Sequence, residues 1–273
     1  MAFAGAMRAA AAAGDGHRRT LAILLLLLCL AAWLSLAGWS ASPYARYLAH
    51  GGWAEFGALS ALCATVPQGA VVVPALAHAL AWMLMIAAMM LPTTWPILSL
   101  FRRLVASRPD AGRLTARVAA GFVGAWLAFG LVAHALDAGL LALAGRAPAL
   151  ATHGWAVGAA VLAVAGLFQW SALKYRCLEA CHSPFAFVAS RWHGRAPYRE
   201  AWQLGAAHGA FCVGCCAPLM LVMFVVGMGN LGYMLALAAV MAAEKNLPQG
   251  RRLRAPLGLA LLGGAAALAL LHH

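Results

Sequence analysis

Acidic residues are scarce: 7 Asp and Glu stand against 19 Lys and Arg in 273 residues, and charged side chains make up only 10% of the chain. Soluble proteins average about a quarter charged, so a water-facing surface cannot be assembled from this sequence. No GxxxxGK[ST], HExxH or GxSxG stretch occurs, which speaks against ATP-driven transport by this chain alone and against hydrolytic catalysis. A disulfide framework is missing as well. Of the seven cysteines only Cys63 falls in an expected outside loop, where it has no partner, and Cys177, Cys181, Cys212, Cys215 and Cys216 lie toward the reducing side. Neither a tandem repeat nor an inverted pair of broken helices of the kind that marks many secondary transporters is evident.

What remains is apolar. Hydrophobic residues make up 64% of the chain, and against a need for about 20 residues per span seven candidates appear: 20–40, 71–98, 118–140, 154–173, 202–226, 230–246 and 255–271. The sixth is the shortest. The expected fold is an all-α polytopic transmembrane bundle of about seven spans forming a single domain over 20–273, after a disordered, Ala-rich tail over 1–19. With the N-terminus in the cytoplasm, 17 of the 19 basic residues face inward, leaving Arg46 and Arg146 outside, as the positive-inside rule demands. The net charge of +12 then reflects basic loops against an anionic leaflet, and no nucleic-acid partner is expected. Arg18 and Arg19 before an apolar run that reaches Trp39 suit a retained anchor better than a cleaved signal. Residues 41–70 read as an interfacial outside segment. After the fourth span Ser183 and Pro184 restart a helix as N-cap and first position.

The run "HGAFCVGCCAPLM" (208–220) places an imidazole and three thiols inside a lipid-length helix. At 100° per residue, His208, Cys212, Cys215, Cys216 and Met223 fit an arc of about 100°. Polar groups in membrane helices usually face the bundle interior, and such a strip can converge on a metal. Thiolate-rich sets suit Cu(I), Zn(II) or iron–sulfur centres, although cysteine is also a small, common packing residue.

"CLEACH" puts Cys177 and Cys181 one turn apart at the same expected end of the bundle. "WMLMIAAMMLPTTWP" carries Met85, Met89, Met83 and Met90, soft donors that equally serve as core fillers, and its Pro92 and Pro96 kink or end the helix. Glu244 beside Lys245 reads as a ligand, a base, a proton carrier or half of an interfacial ion pair. His78, His134 and Asp137 share the opposite half of the bundle.

The four stretches "WMLMIAAMMLPTTWP", "LKYRCLEACHSP", "HGAFCVGCCAPLM" and "AAEKNLP", in that order over about residues 75–254, resemble a bacterial family catalogued as a domain of unknown function. Its members are described as predicted metal-binding integral membrane proteins and are sometimes termed copper chaperones. The resemblance implies a multi-pass protein of the inner membrane and points to Met89, Met90, Pro92, Cys177, Cys181, His208, Cys212, Cys215, Cys216, Glu244 and Lys245.

Together the residues predict a Cu(I) site between the second, fourth and fifth spans, for delivery, storage or passage, with a metal donor or acceptor protein as partner and zinc as the alternative ion. A mixed soft set suits Cu(I), because ionising three thiols around Zn(II) leaves net negative charge in a low-dielectric bundle. Two other readings stand beside this one: a membrane thiol oxidoreductase using Cys212 and Cys215, and a structural subunit of a larger complex.

Overall fold

In the computed structural model, residues 2–43, 45, 72–144, 146, 154–227, 230–247 and 249–271 are described, and among them only helices and their connections occur. The helices are α1 (Ala2–Ser40), α2 (Val72–Met85), α3 (Trp95–Leu104), α4 (Ala111–Ala144), α5 (Trp155–Phe168), α6 (Ala172–His182), α7 (Pro184–Ala189), α8 (Pro197–Val226), α9 (Leu231–Asn246) and α10 (Arg254–Leu271). The all-α polytopic bundle read from composition is what forms. Among the described residues, four helical segments, Arg19–Ser40, Ala111–Leu140, Pro197–Val226 and Gly250–Leu271, are each long and apolar enough to cross a membrane, and two bent helix pairs qualify if each is one span.

The first bent pair is the expected second span. α2 gives way to a π-helical turn over Ile86–Met90, then to a 3-10 turn over Pro92–Thr94, and the chain re-enters α3 at 45°. Pro92 has no N–H to continue the ladder, so Leu91 N–H reaches back five residues to Ile86 O at 2.8 Å. The hydroxyls of Thr93 and Thr94 donate to Met90 O and Leu91 O at 2.7 and 2.6 Å. These bonds satisfy carbonyls that lipid could not.

The second bent pair splits the expected fourth span. α5 ends at Phe168, Ser171 caps α6 by accepting from Lys174 N–H at 3.0 Å, and the two helices meet at 61°. "CLEACH" therefore lies on a helix of its own. The expected sixth span, α9, has only 16 residues, about 24 Å of rise against a hydrocarbon core of about 30 Å, which is short for a straight crossing. At the N-terminus the backbone is helical from Ala2 where a tail was expected over 1–19; alanine has the highest helix propensity of any residue. Most of the expected outside segment, and Cys63 with it, lies outside the described residues.

α4 and α8 form the tightest contact in the bundle. A Cβ on Gly205 would strike the Val118 backbone, and one on Gly121 would strike Trp202 O. Bare glycines thus let the two backbones touch, as small residues do at membrane helix interfaces. This contact fixes the rotation of α8 and aims Leu204, His208, Cys212, Cys215 and Cys216 into the protein, all of them buried. Before α8, the Glu200 carboxylate accepts the backbone N–H groups of His193, Gly194, Arg195 and Ala196 at 2.7–3.0 Å. Four donors on one carboxylate anchor the helix start and its approach loop. The restart at Ser183 and Pro184 occurs where expected, although α7 is only six residues long.

Candidate metal site

Cys212, Cys215 and Cys216 are each only 1% exposed, and their thiols lie together. Cys215 Sγ is 3.3 Å from Cys216 Sγ and donates to Cys212 O at 3.1 Å. Pro218, inside α8, has no N–H for Gly214 O, so the ladder is loosened across the turn that holds these cysteines. From α6, Cys181 packs against the core that holds Cys215. Cys177 packs where Gly214 leaves room: a Cβ at 214 would meet its Sγ. The two cysteine groups expected to approach one another therefore do.

Lys245 of α9 is the group that composition and spacing alone left without a role. It is 6% exposed, and its Nζ donates to Cys212 Sγ at 2.8 Å, Thr93 Oγ1 at 3.4 Å and Met90 Sδ at 3.6 Å. One ammonium thus gathers atoms from α8, the 3-10 turn and the π-helical turn. An ionisable side chain inside an apolar helix was the signal that could have found it, because such groups are functional by default. Trp126 of α4 completes the surround, its indole N–H donating to Cys212 Sγ at 3.3 Å. The π-helical turn is held from outside by Cys29 of α1, which donates to Ala88 O at 3.3 Å.

The remaining expected ligands sit around this centre in different ways. Met89 is buried in the same core. His208, one turn before Cys212, lies between the rings of Phe122 and Phe187, with centroids at 5.5 and 5.6 Å. Its Nδ1 is buried without a hydrogen-bond partner. Glu244 points elsewhere. Both carboxylate oxygens accept from Lys174 Nζ, at 2.8 and 2.9 Å, and Lys174 also bonds Gln169 Oε1. The His182 ring nitrogen lies 2.8 Å from Glu244 O. Adjacent residues of α9 therefore serve two places: Lys245 faces the sulfurs, and Glu244 closes a buried ion pair that ties α9 to α6. Both side chains of the pair are buried within the protein.

Among the described residues, no three His, Cys, Asp or Glu side chains gather as a metal cage. The thiols pair with one another and with Lys245. The donor set still fits a soft monovalent ion, because an ammonium is itself a buried +1 charge and a thiol and a thioether already face it. Burying such a charge is tolerable only when it is paired or well hydrogen-bonded.

His78 and His134 stack at 4.3 Å near the other end of α8, where His78 packs against Phe224 at 6.1 Å. Asp137 is buried one turn beyond His134. An apolar groove of about 420 Å³ between α5 and α8, lined by Ala156, Val157, Ala160, Val161, Val164, Pro218 and Leu221, offers no side-chain ligand atom.

A polytopic helical bundle with thiols, thioethers and an ammonium buried at its centre is the class of protein that these observations define. A family model described as PpoB2, copper chaperone, matches residues 79–268, and the chain belongs to that family. The match spans all four stretches that carry the sequence resemblance. No curated protein and no solved structure matches the chain.

Proposed function

We propose that this protein handles Cu(I) in a bacterial inner membrane, taking it from or giving it to a partner protein through the thiols around Lys245. Cys212, Cys215 and Cys216 supply thiolates, Cys181 and Cys177 a second sulfur pair from α6, and Met90 and Met89 neutral thioethers. His208 stands one turn away as a neutral nitrogen donor. Glu244, by holding Lys174, fixes the end of α9 that carries Lys245. The observation behind this reading is the ammonium itself, a monovalent cation already lodged between Cys212 Sγ and Met90 Sδ. Cu(I) is satisfied by two or three soft ligands, whereas a structural Zn(II) site needs a closed tetrahedron.

Thiols must lose protons before they ligate a metal, so copper affinity should fall at low pH. The direct test is copper analysis of protein purified under reducing conditions, wild type beside a Cys212→Ser, Cys215→Ser, Cys216→Ser variant. Copper in the wild type and its loss in the variant is the expected result; equal copper in both overturns the reading.

A further inference from the structure

The buried sulfur does not end at the cysteines. Beyond Cys216 the same face of α8 carries Met220 one turn on and Met223 three residues further, both 0% exposed. Sulfur therefore recurs on α8 at 212, 216, 220 and 223, once per turn of about 5.4 Å. On α9, Met241 and Met234 stand about one and three turns from Lys245, fully buried, and Met85 lies one turn before Met89 on the helix that carries Met90. All of these side chains belong to one continuous core with the thiols.

Both ends of the run are marked. At one end Lys245 and Trp126 contact Cys212. Twelve residues later, about 18 Å along α8, Phe224 packs against His78, which stacks on His134. His78 is fully buried, with Nε2 3.4 Å from Gly130 O. The line thus runs from thiols to a stacked pair of imidazoles, of which His78 is buried.

Packing alone does not account for it. Methionine is a convenient gap-filler, yet the second core of this molecule, built on Ile97, Phe101, Leu114, Val118 and Leu204, is equally well buried and, among the described residues, contains no sulfur. Gap-filling gives no reason for sulfur to collect in one core and avoid the other.

We infer that the methionines form a conduction path for the same soft cation, joining the His78–His134 end to the thiol end, so that the protein passes Cu(I) through its core as well as binding it. The inference rests on the copper reading above. Thioethers suit passage because they are soft and neutral: each holds the ion without the charge that would trap it, and conduction needs sites weak enough to leave. The thiols at one end supply the tight stage. Copper stays Cu(I) throughout: along the thioethers only copper–sulfur bonds are made and broken, and at the thiol end each thiol that takes the ion releases its proton to water and regains one when the ion leaves.

The test uses the full chain reconstituted in phosphatidylcholine vesicles loaded with a Cu(I) chelator, bathocuproine disulfonate, with ascorbate-reduced copper outside. Wild type should colour the trapped chelator. The Met220→Leu, Met223→Leu variant keeps side-chain volume, so it should bind as much copper per protein as wild type and pass it at least ~10-fold more slowly once the neutral donors are gone. Leu98→Val, in the sulfur-free core, should pass copper at the wild-type rate. Met234→Leu on α9 repeats the measurement should the double variant not fold, with the same slowing expected. Wild-type passage in the methionine variants, or a wild type that binds copper without passing it, overturns the path while leaving the binding site intact. A wild type that binds no copper overturns both.

Discussion

Two cores are packed within the bundle, and they solve the same burial problem with different atoms. One joins α3, the start of α4, α7 and the start of α8 through Ile97, Leu98, Phe101, Leu114, Val118 and Leu204, and its margin is closed by Phe101 edge-on to Trp192 at 4.8 Å and by the Arg191 guanidinium 4.0 Å over Phe187. The other lies between α2, α4, α6, α8 and α9 and buries seven methionines and four cysteines. Branched and aromatic side chains have few rotamers and fix a shape; thioethers adapt and carry polarizable lone pairs. The first core is built of aliphatic and aromatic residues, whereas the second sets its thioethers and thiols among side chains such as Trp82, Phe122 and Trp126.

Substitution can break that contrast in graded steps. The largest effect belongs to the thiols: serine at 212, 215 and 216 should remove bound copper while the protein still purifies folded, as read by metal content and circular dichroism. Next is the ion pair beside the sulfur core. Lys174→Met leaves Glu244 buried without its cation, a change that costs about 3–5 kcal/mol, and the double variant Lys174→Met, Glu244→Leu should recover much of that loss in thermal unfolding in detergent.

In the sulfur-free core Leu204→Ala should cost about 2–5 kcal/mol and lower Tm with copper content per folded protein unchanged. In the sulfur core Met223→Leu should cost less than about 1.5 kcal/mol, so that Tm barely moves even where copper handling does. If Leu204→Ala lost copper, or Met223→Leu unfolded the protein, the division between the two cores would fail.

The smallest effect is expected in the loop between α3 and α4. Arg108 bonds both Asp110 oxygens, at 2.9 and 3.1 Å, and this hydrogen-bonded guanidinium holds the Asp110 carboxyl below the usual carboxylate range. A depressed folded-state value means that the contribution is present above the ordinary carboxylate pKa of about 3.9 and is lost as pH falls through the lower folded value. Asp110→Asn should therefore narrow the Tm difference between neutral and acidic pH only slightly, since the pair is only partly buried and solvent screens it.

Much of the fold was legible because lipid imposes a simple requirement: apolar runs of sufficient length become helices. The break at Pro92 was legible for the same kind of reason, a missing donor. The π-helical turn before it was not, because it arises from how the freed carbonyls are satisfied, a choice made among Ile86, Leu91, Cys29 and the two threonines. Helical periodicity placed His208, Cys212, Cys215 and Cys216 on one face, and all four are buried. The separate fates of Glu244 and Lys245 were not legible, since neighbours about 100° apart on a helix meet different partners, and only the packing of α6 and α8 against α9 decided which partner each one met.

The sequence by itself determined that this chain is an all-α, membrane-type bundle and that one helix face bears its thiols, because hydropathy and the 3.6-residue period act locally. Tertiary structure alone decided that Cys177 packs against Gly214, that an ammonium stands among the sulfurs, and that the methionines share one core. Those contacts join residues from 33 to 155 positions apart, and no local rule reaches across such separations.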